Sequence, residues 1–210
     1  MSTLATRSAA PEELLAAART TMTATAYRAL FDRLVAEGRT TGPDQGAEMV
    51  DYTKLNLART VRNEKTVKLL PELQEALARL PAMHWLVITE AWCGDSSQVT
   101  PVLARMAAAA PQVQFGILLR DEHPVLMDKY LTLGTRSIPK LIAFDMHGTE
   151  LFTWGPRPQA AQDIVLDNKK LPADRQLPKE ELYAKMHAWY AKDKGVSVQR
   201  EFLELLNGVE

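Results

Sequence analysis

The chain has 210 residues, 46% of them hydrophobic, enough for one substantial core or one core with appended helices. With 25 Lys and Arg against 26 Asp and Glu the net charge is −1, which leaves no electrostatic footprint for nucleic acid or an anionic membrane surface. No apolar stretch approaches the ~20 residues that span a bilayer, and the single cysteine excludes an intramolecular disulfide, a disulfide scaffold and an all-cysteine metal site within one chain.

Met1 to Ala10 lacks a secretory apolar core and a clear cleavage site, and reads as the disordered terminus of a cytoplasmic protein. Glu12 to Glu37 is rich in Ala, Leu, Arg and Glu, follows a proline suited to a first turn, and is predicted as one helix stopped by Gly38. Thr40 to Gly46 has loop chemistry. Asp51 to Asn63 is predicted as a second helix, and Glu64 to Leu80 as a continuation broken near Pro71. Leu69, Leu70, Leu73, Leu77 and Leu80 recur at three- and four-residue spacing and form one apolar face. The run Arg59, Arg62, Lys65 and Lys68 reads as the solvated side of a helix.

The texture changes at Met83. His84 to Thr89 is a short, continuous apolar run, the pattern of a strand buried on both faces. Ser96 to Ala110 is predicted as helix, Val113 to Leu119 as a second buried strand, and His123 to Leu133 as helix ended by Gly134. Lys140 to Phe144 and Glu150 to Trp154 are predicted strands joined by a hairpin turn, followed by a helix over Pro158 to Lys170. Leu171 to Pro178 is a proline-bearing linker, and Glu180 to Lys194 and Val198 to Leu206 are expected to be peripheral helices. A helical crossover makes the first two strands parallel, and the last two form an antiparallel hairpin. The expected fold class is α/β: a mixed four-stranded sheet flanked by helices over 83–171, a helical N-terminal extension over 1–82 and a helical C-terminal tail over 172–210.

This order, with a cysteine directly after the first strand, resembles the thioredoxin superfamily. Trp92-Cys93-Gly94 matches the family's Trp-Cys-Gly-Pro-Cys signature, and Pro101 falls where the active-site helix carries a kinking proline. Gly134-Thr135-Arg136-Ser137-Ile138-Pro139 is similar to the Gly-x-Arg-x-Ile-Pro segment whose proline is cis, and Gly155 matches a substrate-groove glycine. The nearest likeness is to bacterial thioredoxin-like proteins with Trp-Cys-Gly-Asp, then Arg-Asp and Trp-Gly-Pro-Arg-Pro, here Arg120-Asp121 and Trp154 to Pro158. Two positions depart from the superfamily. Ser96 stands where the resolving cysteine would be, and Val87 where a buried acid would assist it. Against this fold, the helix face of Tyr52, Asn56, Arg59 and Arg62 has three uses: packing on the domain (the default), covering the sheet edge left by a missing first strand, or pairing two chains.

A cysteine at a helix start faces unpaired N–H groups and the positive end of the dipole, which favour thiolate, whereas Asp95 opposes it. Ser96 is a candidate hydrogen-bond donor to the sulfur. The resemblance implies that Ile138, beside a cis Pro139, pairs with an extended substrate or a glutathione-like peptide. Lys140, Arg120, Arg136 and Arg157 are candidate anion holders, and the Trp154 to Pro158 turn reads either as a rigid loop or as a groove wall with Arg157 pointing in. The expected activity is monothiol thiol–disulfide exchange through Cys93, with Trp92, Asp95 and Ser96 around it and Ile138, Pro139, Gly155, Arg157 and Arg120 at the substrate. The motif is similar to the Cys-Gly-x-Ser of monothiol glutaredoxins. No resident cofactor or metal is expected; the partner is a protein disulfide or a small thiol such as glutathione, with no nucleic acid or membrane, and the chain is a monomer or homodimer. The alternatives are a non-catalytic binding module, a cysteine redox sensor, and a transferase using Cys93 or Ser96 to hold glutathione.

Overall fold

The computed structural model describes residues 8–208, so the terminal disorder expected for Met1 to Ala10 falls mostly outside the described residues. Within them, Ala9 is buried, and its N–H donates to the Tyr130 hydroxyl at 3.2 Å. The helices before the sheet are α1 (Pro11–Ala18), α2 (Ala24–Ala36), α3 (Ala47–Thr66) and α4 (Pro71–Ala78). The predicted Glu12 to Glu37 helix is thus two helices. Thr20 and Thr21 turn their hydroxyls back onto the carbonyls of Ala17 and Ala18, and Thr23 caps α2 by accepting the Ala26 N–H. Such local side-chain bonds compete with helix continuation. The freed Met22 pairs antiparallel with Ile117, through N···O distances of 2.8 and 2.9 Å.

The sheet comprises β1 (Met83–Thr89), β2 (Val113–Leu119), β3 (Lys140–Asp145) and β4 (Glu150–Trp154), in the order β2-β1-β3-β4. β1 runs parallel to β2 and antiparallel to β3, and β3 is antiparallel to β4. α5 (Gly94–Ala108) crosses from β1 to β2. Alternate β1 side chains feed two apolar clusters: Trp85 and Val87 face one, Leu86 and Ile88 the other. Both faces of a central strand are therefore dry, as its unbroken apolar run demands. Met22 pairs with β2 at the sheet edge. The expected His123 to Leu133 helix shrinks to α6 (Pro124–Met127) after a 3-10 turn at Arg120–Glu122. The rest is irregular, with positive φ at Leu133 and Gly134, as the chain turns toward Pro139.

After β4 come α7 (Gln159–Lys170), α8 (Lys179–Asp193) and α9 (Val196–Leu206). The last two are not peripheral. Phe202 of α9 is fully buried against Trp85, with ring centroids 5.3 Å apart, and Met186 and Tyr190 of α8 join the same core. The leading helices contribute Tyr27, Phe31, Leu73 and Leu77 to it. Residues before β1 and after α7 thus complete the sheet's larger core.

Candidate active site

Cys93 caps the N-terminus of α5, the position set by the turn that leaves β1. The Ile138–Pro139 bond is cis, and the Cys93 thiol donates to the Ile138 carbonyl at 3.3 Å. A thiol held by a carbonyl is favoured over a thiolate facing it. Burial pushes the Cys93 pKa up to about 11, with Asp95 adding to the rise and the Ser96 side chain and the Ser96 and Asp95 N–H groups opposing it.

Asp95 is itself ion-paired. Arg157 binds it through Nη2 and through Nε at 3.0 Å, and the Tyr190 hydroxyl donates to its other oxygen at 2.8 Å. Arg157 also donates to Gln162 at 3.0 Å. Tyr190 lies on α8, so the tail helix is tied directly to the residue two places beyond the cysteine. Gly94 has a packing reason as well: a Cβ there would meet His187 Cε1 of α8 at 3.0 Å.

From the other side α3 buries a polar stripe of Thr53, Asn56, Thr60 and Asn63. The Asn56 amide donates to the Ala91 carbonyl at 3.1 Å and accepts from Arg59 at 2.9 Å. Asn63 donates to the Ser97 carbonyl and to Gln98 Oε1, at 3.1 and 3.0 Å. Arg62 also reaches Gln98 Oε1, at 2.9 Å. Packing within the chain is therefore the use made of this face; Arg59 is half-buried in the network, Arg62 joins it from an exposed position, and Lys65 and Lys68 are exposed as expected. Val87 is buried and apolar. The nearby acid is Glu90, fully buried, with Oε1 accepting the Asp121 N–H at 2.9 Å and Oε2 without a hydrogen-bond partner among the described residues; burial raises its pKa.

These elements enclose a pocket of about 500 Å³. Trp92, Cys93, Asp95, Arg120, Ile138 and Arg157 line it, joined by side chains that sequence reasoning did not single out for the site: Met49, Tyr183, Met186 and His187. Arg120 stacks on Trp92 at 4.5 Å and pairs with Asp121, and Arg136 pairs with Asp128. Four candidates do not line the pocket. Ser96 borders a cavity of about 30 Å³ behind α5 with Tyr27 and Thr100, yet its side chain still acts on the Cys93 sulfur. Lys140 is buried with Nζ donating to the Gly155 carbonyl at 3.3 Å, so it is not an anion holder. Gly155, at φ 112°, is a packing glycine: a Cβ would lie 2.2 Å from the Pro139 carbonyl oxygen. Pro139 follows the pocket-lining Ile138 and does not line the pocket itself. Among the described residues no cluster of His, Cys, Asp or Glu is arranged to hold a metal, and no helix is long and apolar enough to cross a membrane.

A family model described as thioredoxin matches residues 42–175. Two crystal structures share the fold. One is an HIV epitope-scaffold, 17% identical, covering 93% of this chain and 98% of its own, with a TM-score of 0.61. The other is a protein of unknown function from Pseudomonas aeruginosa, 19% identical, covering 90% and 99%, with a TM-score of 0.57. At these identities they speak for the fold alone. No curated protein matches the chain.

Proposed function

The chain belongs to the thioredoxin family, and from that premise we propose that it carries out monothiol thiol–disulfide exchange through Cys93. The observation that carries this reading is the place of the sulfur: at the start of α5, against Ile138 beside the cis bond, and open to the 500 Å³ pocket. The Cys93 thiolate attacks one sulfur of a disulfide. A Cys93–substrate disulfide forms, and the other half leaves as a thiolate that takes up the proton Cys93 has lost. A second, external thiol attacks the mixed disulfide and returns Cys93 to its reduced state. With Ser96 in place of a resolving cysteine, the second thiol must come from outside. The reading needs no resident cofactor and sets the protein in a bacterial cytoplasm, with a protein or a small molecule such as glutathione as thiol partner.

A pKa of about 11 leaves about one thiol in ten thousand ionised at pH 7. A thiolate of high pKa is intrinsically more nucleophilic, which offsets part of that loss. The same raised pKa favours a second reading, a binding module that keeps the pocket and has lost turnover. Alkylation of Cys93 against pH, followed by intact mass with Cys93→Ser as blank, separates the two when repeated with glutathione disulfide. The alkylation rate is expected to keep climbing beyond pH 9 rather than level off near pH 8. A reversible mixed disulfide at pH 8 supports exchange. Absence of any adduct up to pH 9 sinks it and leaves the binding module.

A further inference from the structure

Tyr52 of α3 and Tyr183 of α8 meet edge to face, with ring centroids 6.3 Å apart and planes at 79°. Both rings line the pocket that holds Cys93. One helix precedes β1 and the other follows α7, so segments outside the sheet unit close over the motif from two directions. An extended polypeptide that pairs with backbone needs an open groove several residues long. A pocket of about 500 Å³ bridged by two aromatic rings offers the dimensions of a small-molecule site instead.

The pocket also carries a donor of fixed direction. Gln98 Oε1 is held by Arg62 and Asn63, so its amide nitrogen faces His187 Nδ1 at 3.2 Å. An amide nitrogen only donates, so Nδ1 accepts and the neutral imidazole carries its proton on Nε2. Among the described residues Nε2 has no hydrogen-bond partner, and it lies 3.1 Å from where a Cβ on Gly94 would sit. Arg59 Nη1 lies 4.0 Å from the same point, and neither Arg59 nor the pocket-lining Lys179 pairs with a carboxylate among the described residues. On the Gly94 side of the pocket the free groups are therefore donors, whereas the lining carboxylate without an ion pair among the described residues, Glu48, stands on the Tyr52 side.

We propose that this pocket takes a small-molecule thiol or disulfide bearing a carboxylate, that the His187 Nε2–H donates to it, and that the Tyr52–Tyr183 pair keeps protein chains out. The covalent step of this assignment rests on the exchange reading above; the binding does not. With a small disulfide, Cys93–S–S–R forms and R–SH is released, with no further oxidant or reductant.

The test uses the full chain in two arms. In the first, Cys93→Ser is titrated calorimetrically with reduced glutathione, cysteine and coenzyme A. Saturable binding of at least one is expected, weakened about fivefold to tenfold by adding His187→Ala and partly restored by His187→Gln, with thermal melting as the check on folding. No binding of any probe, or equal binding after His187→Ala, overturns the proposal. In the second, wild-type protein is incubated with glutathione disulfide or with insulin and read by intact mass. A glutathione adduct without an insulin adduct is expected, and Tyr183→Ala or Tyr52→Ala should gain the insulin adduct. Insulin coupling to wild type as fast as glutathione overturns the proposal and leaves exchange standing. Binding to Cys93→Ser with no adduct on wild type does the reverse.

Discussion

Helix α9 buries Val198, Phe202 and Leu206, with Phe202 among the rings of Trp85, Phe152 and Trp154. Helix α3 buries Thr53, Asn56, Thr60 and Asn63 instead, and aims its amides at the backbone of the Cys93 turn and of α5. Both helices pack on α5. The apolar contact is non-directional and supplies stability in proportion to the area it hides. The polar contact gains little net energy per bond but is costly to leave half made, so it sets orientation. The fold is held mainly by the first, and the direction in which Cys93 and Gln98 face is held by the second.

Phe202→Ala should be the more damaging change to stability, costing about 4 kcal/mol in urea unfolding, because a fully buried ring leaves a cavity among other rings. Its effect on the Cys93 alkylation rate should be small. Asn56→Ala should cost less, about 2 kcal/mol, by orphaning the Ala91 carbonyl. Its alkylation rate should nevertheless change more than that of Phe202→Ala, since Ala91 sits in the turn that carries the cysteine. If the two variants shift alkylation equally, the division of labour between the helices is wrong.

A change of pH rather than of sequence sharpens the polar side. Burial, with Arg59 adding to it, pulls the His187 pKa down to about 4, against about 6.5 in an unfolded chain. Between these values the unfolded state binds the proton and the folded state does not. The stability that His187 permits is full above pH 6.5 and is lost as pH falls toward 4. The urea midpoint should therefore drop more steeply over that range in wild type than in His187→Gln. Equal slopes would mean that the imidazole is not held neutral by its surroundings.

The sheet was legible because its signals are local. The unbroken apolar run at His84 to Thr89, the hairpin turn before Glu150 and the cysteine at a strand end are all read within a few residues. The order in which they come is what carried the thioredoxin likeness. The break at Thr20 to Thr23 was missed because helix propensity of the flanks outweighs three threonines until their hydroxyls find carbonyls. The shortened α6 was missed because its second half serves the approach to Pro139. For the site, Trp92, Cys93, Asp95, Arg120, Ile138 and Arg157 were found from the motifs, and all line one pocket. Lys140 was misjudged because direction is not written in residue type: its side chain turns to a carbonyl.

His187, Tyr183 and Tyr190 carry no motif, and nothing in their spacing marks them. They reach the site only because α8 folds back across α5, where Tyr190 meets Asp95 and His187 meets Gly94 and Gln98. Sequence alone determined the four strands, the crossover helix and where the one cysteine sits, since periodicity, turn chemistry and motif spacing are properties of neighbours along the chain. Tertiary structure decided the rest: that the thiol donates to a carbonyl, that Asp95 is paired with Arg157, and that α3 and α8 wall the groove into a pocket. Each of these depends on burial and on partners 45 or more residues away, and no local pattern encodes burial at that range.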